Sequence, residues 1–261
     1  MAVSEMRRAF DSLSSEADVP RTQVEIFWRK FKPLRTEPFE KNIVVDKDQL
    51  DLDAQEAIRA VRKRTTPLDQ NGLDVLFEGA RSFNGWKDEP VTEDQLRQIY
   101  DLMKLCPTSA NCCPLRIKFI SSAEAKKKLE PLLSDTNRSK TMQAPAVAIF
   151  GMDLDFYHHM PFLWPHRPNA IPERMEANPN LIQPWAIRNA TLQAAYFILA
   201  VRAIGLDAGP MQGVDAAGLD TAFWSGTNVK SMFICSIGRG DEETVFKKLP
   251  RFAFDEVCEI L

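Results

Sequence analysis

Glycine is scarce in this 261-residue chain, with 11 residues against 17 prolines, and histidine is scarcer, with three. A sequence so poor in glycine and without a short repeat is neither collagen-like nor low-complexity. No apolar run approaches the ~18 residues of a membrane-spanning helix; the longest, Ala194 to Val201, falls far short. Charge of one sign does not dominate: 33 Lys and Arg face 36 Asp and Glu, a net charge of −3. That balance argues against a nucleic-acid or membrane-surface partner. The five cysteines, Cys106, Cys112, Cys113, Cys235 and Cys258, are odd in number and contain no CxxC. A disulfide framework is therefore not expected, and reduced thiols are the default. Met1 to Phe10 lacks the apolar core of a secretory signal, so a cytoplasmic protein is expected.

Common catalytic signatures are missing as well. There is no GxxxxGK[ST], HExxH or GxSxG, and Gly238-Arg239-Gly240-Asp241 lacks the third glycine of a dinucleotide fingerprint. His158, His159 and His166 have no carboxylate or thiol at a matching helical spacing, so no metal site is expected. Cys112-Cys113 near Cys106 invites a thiol nucleophile; small buried thiols are the stronger reading.

What is present divides the chain in two. Residues 1–66 hold 13 basic and 12 acidic residues, so 25 of 66 are charged. Their apolar content is local, at Ile26-Phe27-Trp28, Phe31 and Ile43-Val44-Val45, with one helix expected at about 50–64. This stretch reads as an extension, loosely attached or wrapped around a partner subunit. From Pro67 onward the pattern is regular. A short helix is expected from Leu73, and Thr92-x-x-Gln95 is a capping box opening a second. Leu115–Ile120, Ala146–Phe150 and Ser231–Ile237 read as strands, and Ser121-x-x-Glu124 as the start of a further helix running through Leu132. Phe156 to Pro184, rich in Pro, Trp and His, reads as an irregular excursion. The strongest helix is 183–204, apolar nearly all round in its second half and ended by Gly205. Such a helix is central either to one domain or to a dimer. Phe254 to Leu261 reads equally as helix or strand.

Three polar clusters remain: Arg81-Ser82-Phe83-Asn84-Gly85-Trp86, Pro107-Thr108-Ser109-Ala110-Asn111-Cys112-Cys113-Pro114, and Gly209-Pro210-Met211-Gln212-Gly213. Each reads as a turn by composition. Arg251 stands apart in Leu249-Pro250-Arg251.

Taken in order, these clusters, with Arg188-Asn189-Ala190-Thr191-Leu192-Gln193 and Pro250-Arg251-Phe252-Ala253-Phe254, resemble the nitroreductase family of FMN-dependent oxidoreductases. The resemblance spans 67–261 and is closest to the malonic semialdehyde reductase (3-hydroxypropionate dehydrogenase) type. It implies an α+β fold, with a mostly antiparallel central sheet flanked by helices and the long helix at a homodimer interface. It implies FMN held by Arg81, Ser82 and Arg251 at the phosphate, where guanidinium donors fit a dianion. It sets Asn111 at the flavin edge with Asn84 as a second candidate, counts Ser109 among the cofactor-binding residues, and draws a backbone donor near N5 from Gly209-Pro210-Met211-Gln212, where Pro210 has no N–H to give and Gly209, Met211 or Gln212 would supply it. Tyr157, Phe162 and Trp164 are candidate acceptor contacts. A family relative often follows its Asn with a Gln-Pro-Trp-like stretch; here it is Cys112-Cys113-Pro114-Leu115.

The implied activity is ping-pong hydride transfer from NADH or NADPH, through flavin N5, to a small-molecule electron acceptor. An aldehyde acid such as malonic semialdehyde is the first expectation, and a nitroaromatic or quinone the second. A flavin-binding sensor or sequestering protein without turnover is the alternative.

Overall fold

The computed structural model describes residues 47–261. The chain divides into two compact units, Met1–Thr65 and Thr66–Leu261. In the first unit the described residues form one helix, α1 (Lys47–Arg64), three residues longer at its start than the pattern suggested. Its side chains from Asp51 onward are exposed. The apolar patches at Ile26–Trp28, Phe31 and Ile43–Val45 lie outside the described residues.

The second unit is built on a four-stranded antiparallel sheet: β1 (Leu115–Ile120), β2 (Ala146–Asp153), β3 (Asp207–Met211) and β4 (Val229–Gly238) in spatial order β1-β2-β4-β3. β2 is buried at every residue because it feeds two cores. Ala146, Ala148, Phe150 and Met152 face one side, and Val147 and Ile149 the other. Alternation of side chains across a strand makes this a near-continuous apolar run.

The first core is closed by α2 (Glu93–Met103) and α3 (Ile182–Ala203). Thr92 and Gln95 make both bonds of the capping box on α2, and Leu96, Ile99 and Met103 are its buried face. α3 turns Ala186, Ala190, Ala194, Phe197 and Val201 onto the sheet. Phe197 meets Phe150 edge-on at 5.0 Å. Burying a ring of this size contributes about 2–3 kcal/mol. Gly205 ends α3 with φ +80, a conformation glycine adopts without Cβ penalty. Within the single chain α3 is buried on one side only: Ile187, Leu192 and Tyr196 are each 40% exposed or more.

The second core lies under α4 (Ala123–Leu129) and α5 (Ala216–Phe223), with Leu129, Leu219 and Trp224 buried. α4 is capped by Ser122, whose hydroxyl accepts from the Ala125 N–H at 3.2 Å. The cap is therefore one residue later than Ser121, and the helix gives way to a tighter turn at Glu130–Leu132.

Two other expectations change. Gly209-Pro210-Met211 is strand β3 and not a turn. Proline is tolerated because β3 is at the sheet edge, where its outer side carries an isolated bridge at Ala208 and no continuous ladder that needs the missing N–H. The Phe156–Pro184 excursion is largely helical in short pieces, at Phe156–His159, Met160–Leu163, Ala170–Ala177 and Pro179–Leu181. Prolines divide it and start new turns, as proline does at the first helical positions. The tail carries one helical turn, Phe254–Val257.

Candidate functional site

The first polar cluster follows a short helix, Gln70–Leu73, that widens to a five-residue π-type turn at Asp74–Glu78. Arg81-Ser82-Phe83-Asn84 then runs beside β3. Ser82 bridges Ala208, and the Phe83 N–H donates to the Ala208 carbonyl at 3.3 Å. Gly209 is required here: a Cβ on it would lie 2.7 Å from the Phe83 carbonyl oxygen and 3.1 Å from the Trp86 ring.

A helix that sequence reading missed, Asp135–Gln143, backs this junction. Lys140 donates from Nζ to Asn84 Oδ1 at 3.1 Å, and its carbonyl accepts from Trp86 Nε1 at 2.9 Å. Buried Thr141 donates to Met211 Sδ at 3.7 Å, and Asn137 Nδ2 to the Gly213 carbonyl at 3.1 Å. The helix reads DTNRSKTMQ, with Met142 its one apolar residue, so no apolar period announces it. Its buried face is itself polar, Asn137 and Thr141, matched to backbone and thioether acceptors.

Arg81 is half-buried and donates from Nη2 to the Phe246 carbonyl. Lys248 Nζ donates to the Glu78 carbonyl, so the 246–248 stretch lies along 78–81. Arg251 is exposed and donates only locally, to the Leu249 and Pro250 carbonyls at 3.2 and 3.0 Å.

Pro210, Met211 and Gln212 line a cavity of about 460 Å³ with Ile187, Thr191, Ser231 and Phe233. Ser231 Oγ is buried without a hydrogen-bond partner. A second cavity, of about 320 Å³, opens beside Arg81, Phe83, Arg202 and Asp207. Burial pushes the Asp207 carboxyl up, against the Gly240 N–H that it accepts.

The other predicted cluster is held separately. Ala110, Asn111 and Cys113 all take positive φ, at 52°, 54° and 39°. Such a conformation is uncommon for non-glycine residues and costs of order 1 kcal/mol each. Two buried amides of α3 fix the turn and its exit. Asn189 Oδ1 accepts from the Ser109 N–H at 2.8 Å, and Gln193 Oε1 from the Leu115 N–H at 3.0 Å. Asn111 Nδ2 donates to the Leu163 carbonyl at 2.9 Å, and its Oδ1 accepts weakly from Cys113 Sγ at 3.5 Å. Much of the Asn111 amide is thus committed within the chain.

Cys112 is fully buried, and burial pushes its thiol up to about 11. That leaves it protonated at neutral pH and unsuited to be a nucleophile. Tyr157 is half-buried with its ring 4.1 Å from that of His158, Trp164 is half-buried against the first core, and Phe162 is exposed. The structure thus joins Arg81, Ser82, Asn84, Gly209, Pro210 and Met211 in one region, and Ser109 and Asn111 with the Tyr157–Trp164 segment in another. Neither cavity is lined by Ser109 or Asn111. Among the described residues no cluster of His, Cys, Asp and Glu could hold a metal, and no helix is long and apolar enough to cross a membrane.

Comparison with known proteins gives this geometry a context. The family model described as "Nitroreductase family" matches residues 78–239. A Leptothrix cholodnii protein, provisionally named an NADH dehydrogenase/NAD(P)H nitroreductase, is 49% identical over 197 residues, 76% of this chain and 100% of that protein. A Stenotrophomonas maltophilia protein with the same provisional name is 49% identical over 199 residues, 74% of this chain and 97% of its own. Among solved structures, an Exiguobacterium sibiricum protein in complex with FMN superposes with a TM-score of 0.65 at 20% identity, covering 76% of this chain and 100% of the other. At that identity the superposition speaks for the fold. A family match over more than half the chain, and near-half identity along the whole of a relative, make this chain a member of the nitroreductase family.

Proposed function

We propose that the chain is an FMN-dependent oxidoreductase that takes a hydride from NADH or NADPH and passes it to a small electrophile. One observation carries the reading. Arg81, Asn84 and Lys140 gather along β3, and the end of the same strand lines the apolar cavity beneath Met211 and Phe233. Bound FMN would supply two-electron hydride chemistry at N5. The donor set fits such a ligand. Arg81 has most of its five N–H donors left after the bond to Phe246, the adjacent Ser82 is exposed, and Arg251, exposed and bonded only to its own neighbours, would join them at the phosphate. Asn84 accepts from Lys140 and keeps its amide hydrogens for a flat heterocycle. Lys140 adds positive charge at that end, where an electron-rich ligand gains most. Gln212, just past the end of the β3–β4 ladder, is the proposed source of a backbone N–H near the flavin. The orphaned Ser231 hydroxyl beside the cavity is a polar group that a ligand would satisfy.

A homodimer is part of the proposal. The two halves of the predicted cofactor site lie apart in one chain, and Ile187, Leu192 and Tyr196 on α3 are open. Burying that face against a second copy would bring the Ser109–Asn111 half of one chain towards the β3 half of the other. The working unit proposed is 67–261, with the charged first 66 residues as an added arm.

For the acceptor we propose a short aldehyde acid such as malonic semialdehyde, with a nitroaromatic or quinone served by the same chemistry. Tyr157, Phe162 and Trp164 would form its wall. A carboxylate calls for a guanidinium; Arg167 and Arg188 are exposed without an ion pair among the described residues, and Arg174 lies over the Trp185 ring at 5.2 Å. The test is the absorbance spectrum of the purified protein, before and after anaerobic NADPH and NADH. Flavin absorption that bleaches supports the proposal. Flavin that does not bleach supports a sequestering role, and a colourless protein that takes up no added FMN overturns the cofactor itself.

A further inference from the structure

Asp153 closes β2 with a side chain only 9% exposed, and it joins the start of neighbouring strand β1 to the segment that follows β2. Its Oδ2 meets Arg116 Nη2 at 2.5 Å and His159 Nε2 at 3.6 Å, and its Oδ1 accepts the Asp155 N–H at 2.9 Å. Arg116 turns its other amino group to the Cys113 and Leu115 carbonyls, both at 3.0 Å, where the left-handed turn rejoins β1. The Asp153 N–H donates to the Pro114 carbonyl at 2.9 Å. On the far side, His159 begins the segment that carries Phe162 and Trp164, and the Asn111–Leu163 bond ties that segment to the same turn. One carboxylate therefore stands between the strained turn and the aromatic segment. A nearly buried carboxylate is costly unless its oxygens are fully used, and here Arg116 comes from β1 while Asp155 and His159 come from the segment after β2.

We propose that Asp153 is a positioning residue that locks the Ser109–Asn111 turn to the Tyr157–Trp164 segment through Arg116 and His159. In the flavin reading, on which the functional half of this inference rests, the cofactor edge and the acceptor wall are thus set by a single carboxylate. The clasp also explains how a turn with three left-handed non-glycine residues is retained. Such strain persists only when its surroundings over-determine the backbone, and Arg116 holds two carbonyls at its exit.

Hydrogen–deuterium exchange of the flavin-free full chain tests the clasp without any turnover. His159 is 44% exposed, so His159→Ala spares the fold. Exchange is expected to quicken about two- to fivefold, the scale of a half-exposed polar contact, in both 156–164 and 107–114, while 146–150 is unchanged. Faster exchange confined to 156–164 would overturn the proposal. Asp153→Asn should quicken both segments about tenfold or more, and adding His159→Ala to it should change nothing further, because coupled residues are not additive. Effects that simply multiply would also overturn it. If Asp153→Asn does not fold, His159→Ala decides alone. In the FMN-loaded enzyme the same variant should raise the acceptor KM by a similar factor. A wild-type protein that binds no FMN would defeat the flavin reading, while the exchange result still decides the clasp.

Discussion

Asn189 gives the sharpest test of how the long helix supports the site. Its side chain is 1% exposed; Oδ1 accepts the Ser109 N–H at 2.8 Å and Nδ2 donates to the Trp185 carbonyl at 2.9 Å. Asn189→Ala removes a hydrogen bond worth about 1 kcal/mol and leaves the Ser109 donor unpaired, at about 1–3 kcal/mol. Alanine returns about 0.5 kcal/mol of helix propensity. The net loss is about 2 kcal/mol, or a fall in Tm of about 4–8 °C for a domain of this size. Gln193→Ala is the matched control: it removes an equally buried acceptor, for the Leu115 N–H, but one that serves the strand start. Both variants should melt early by similar amounts. Only Asn189→Ala, which frees the turn, should weaken FMN binding tenfold or more, measured by flavin fluorescence during dialysis. Equal loss of flavin in the two variants, or a melting point within about 1 °C of wild type for Asn189→Ala, would refute the reasoning.

Other substitutions give separate checks. Arg81→Ala should lower FMN affinity about 10- to 100-fold, the range of a charge-assisted bond, with circular dichroism unchanged and the loss read by titration with FMN. Cys112→Ala should keep turnover, since a thiol pushed up to about 11 is not the nucleophile; abolished activity would revive a thiol enzyme. Gly209→Ala drives a Cβ to 2.7 Å from the Phe83 carbonyl and should cost about 1–3 kcal/mol, read in urea unfolding. The Asp153 carboxyl lies below its usual range: burial would raise it, but nearby His159 and the Arg116 charge outweigh burial. Its contribution to stability is present above the unfolded value of about 4 and is lost as pH falls through the lower folded value. Asp153→Asn should therefore flatten the acid side of the Tm–pH curve below about pH 4.

Much of the fold was legible because apolar runs carry it. Leu115–Ile120 is the strand expected, and Ala146 to Phe150 and Ser231 to Ile237 lie inside longer strands. α3 starts and stops within a residue of its pattern, and Gly205 ends it. The errors have physical causes. Gly209-Pro210 is turn chemistry, yet an edge strand tolerates it. Ser121 and Ser122 are equally good caps on paper, and the backbone uses Ser122. The helix Asp135–Gln143 was invisible because its buried face is Asn137 and Thr141. Lys140 was missed with it, although it contacts one of the predicted residues, Asn84, through space. The candidate site was legible as residue clusters, not as an arrangement. Sequence order says nothing of the separation between the Arg81–Met211 region and the Ser109–Asn111 turn, and the Asp153 clasp has no motif because its partners come from separate segments.

α3 also acts as a ruler. Asn189 and Gln193 hold the turn and the start of β1, while Arg202, thirteen residues beyond Asn189, donates from Nη1 to the Leu76 carbonyl just ahead of Arg81. At 1.5 Å per residue those anchor points are about 20 Å apart along one rod. Alanines at 186, 190 and 194 seat the rod close against the sheet with no flexible side chains between them. A helix so seated transmits displacement instead of absorbing it. Residues 74–78 and 109–111 are thus referenced to opposite ends of the same rod, so the spacing between the two regions is set by the length of one helix.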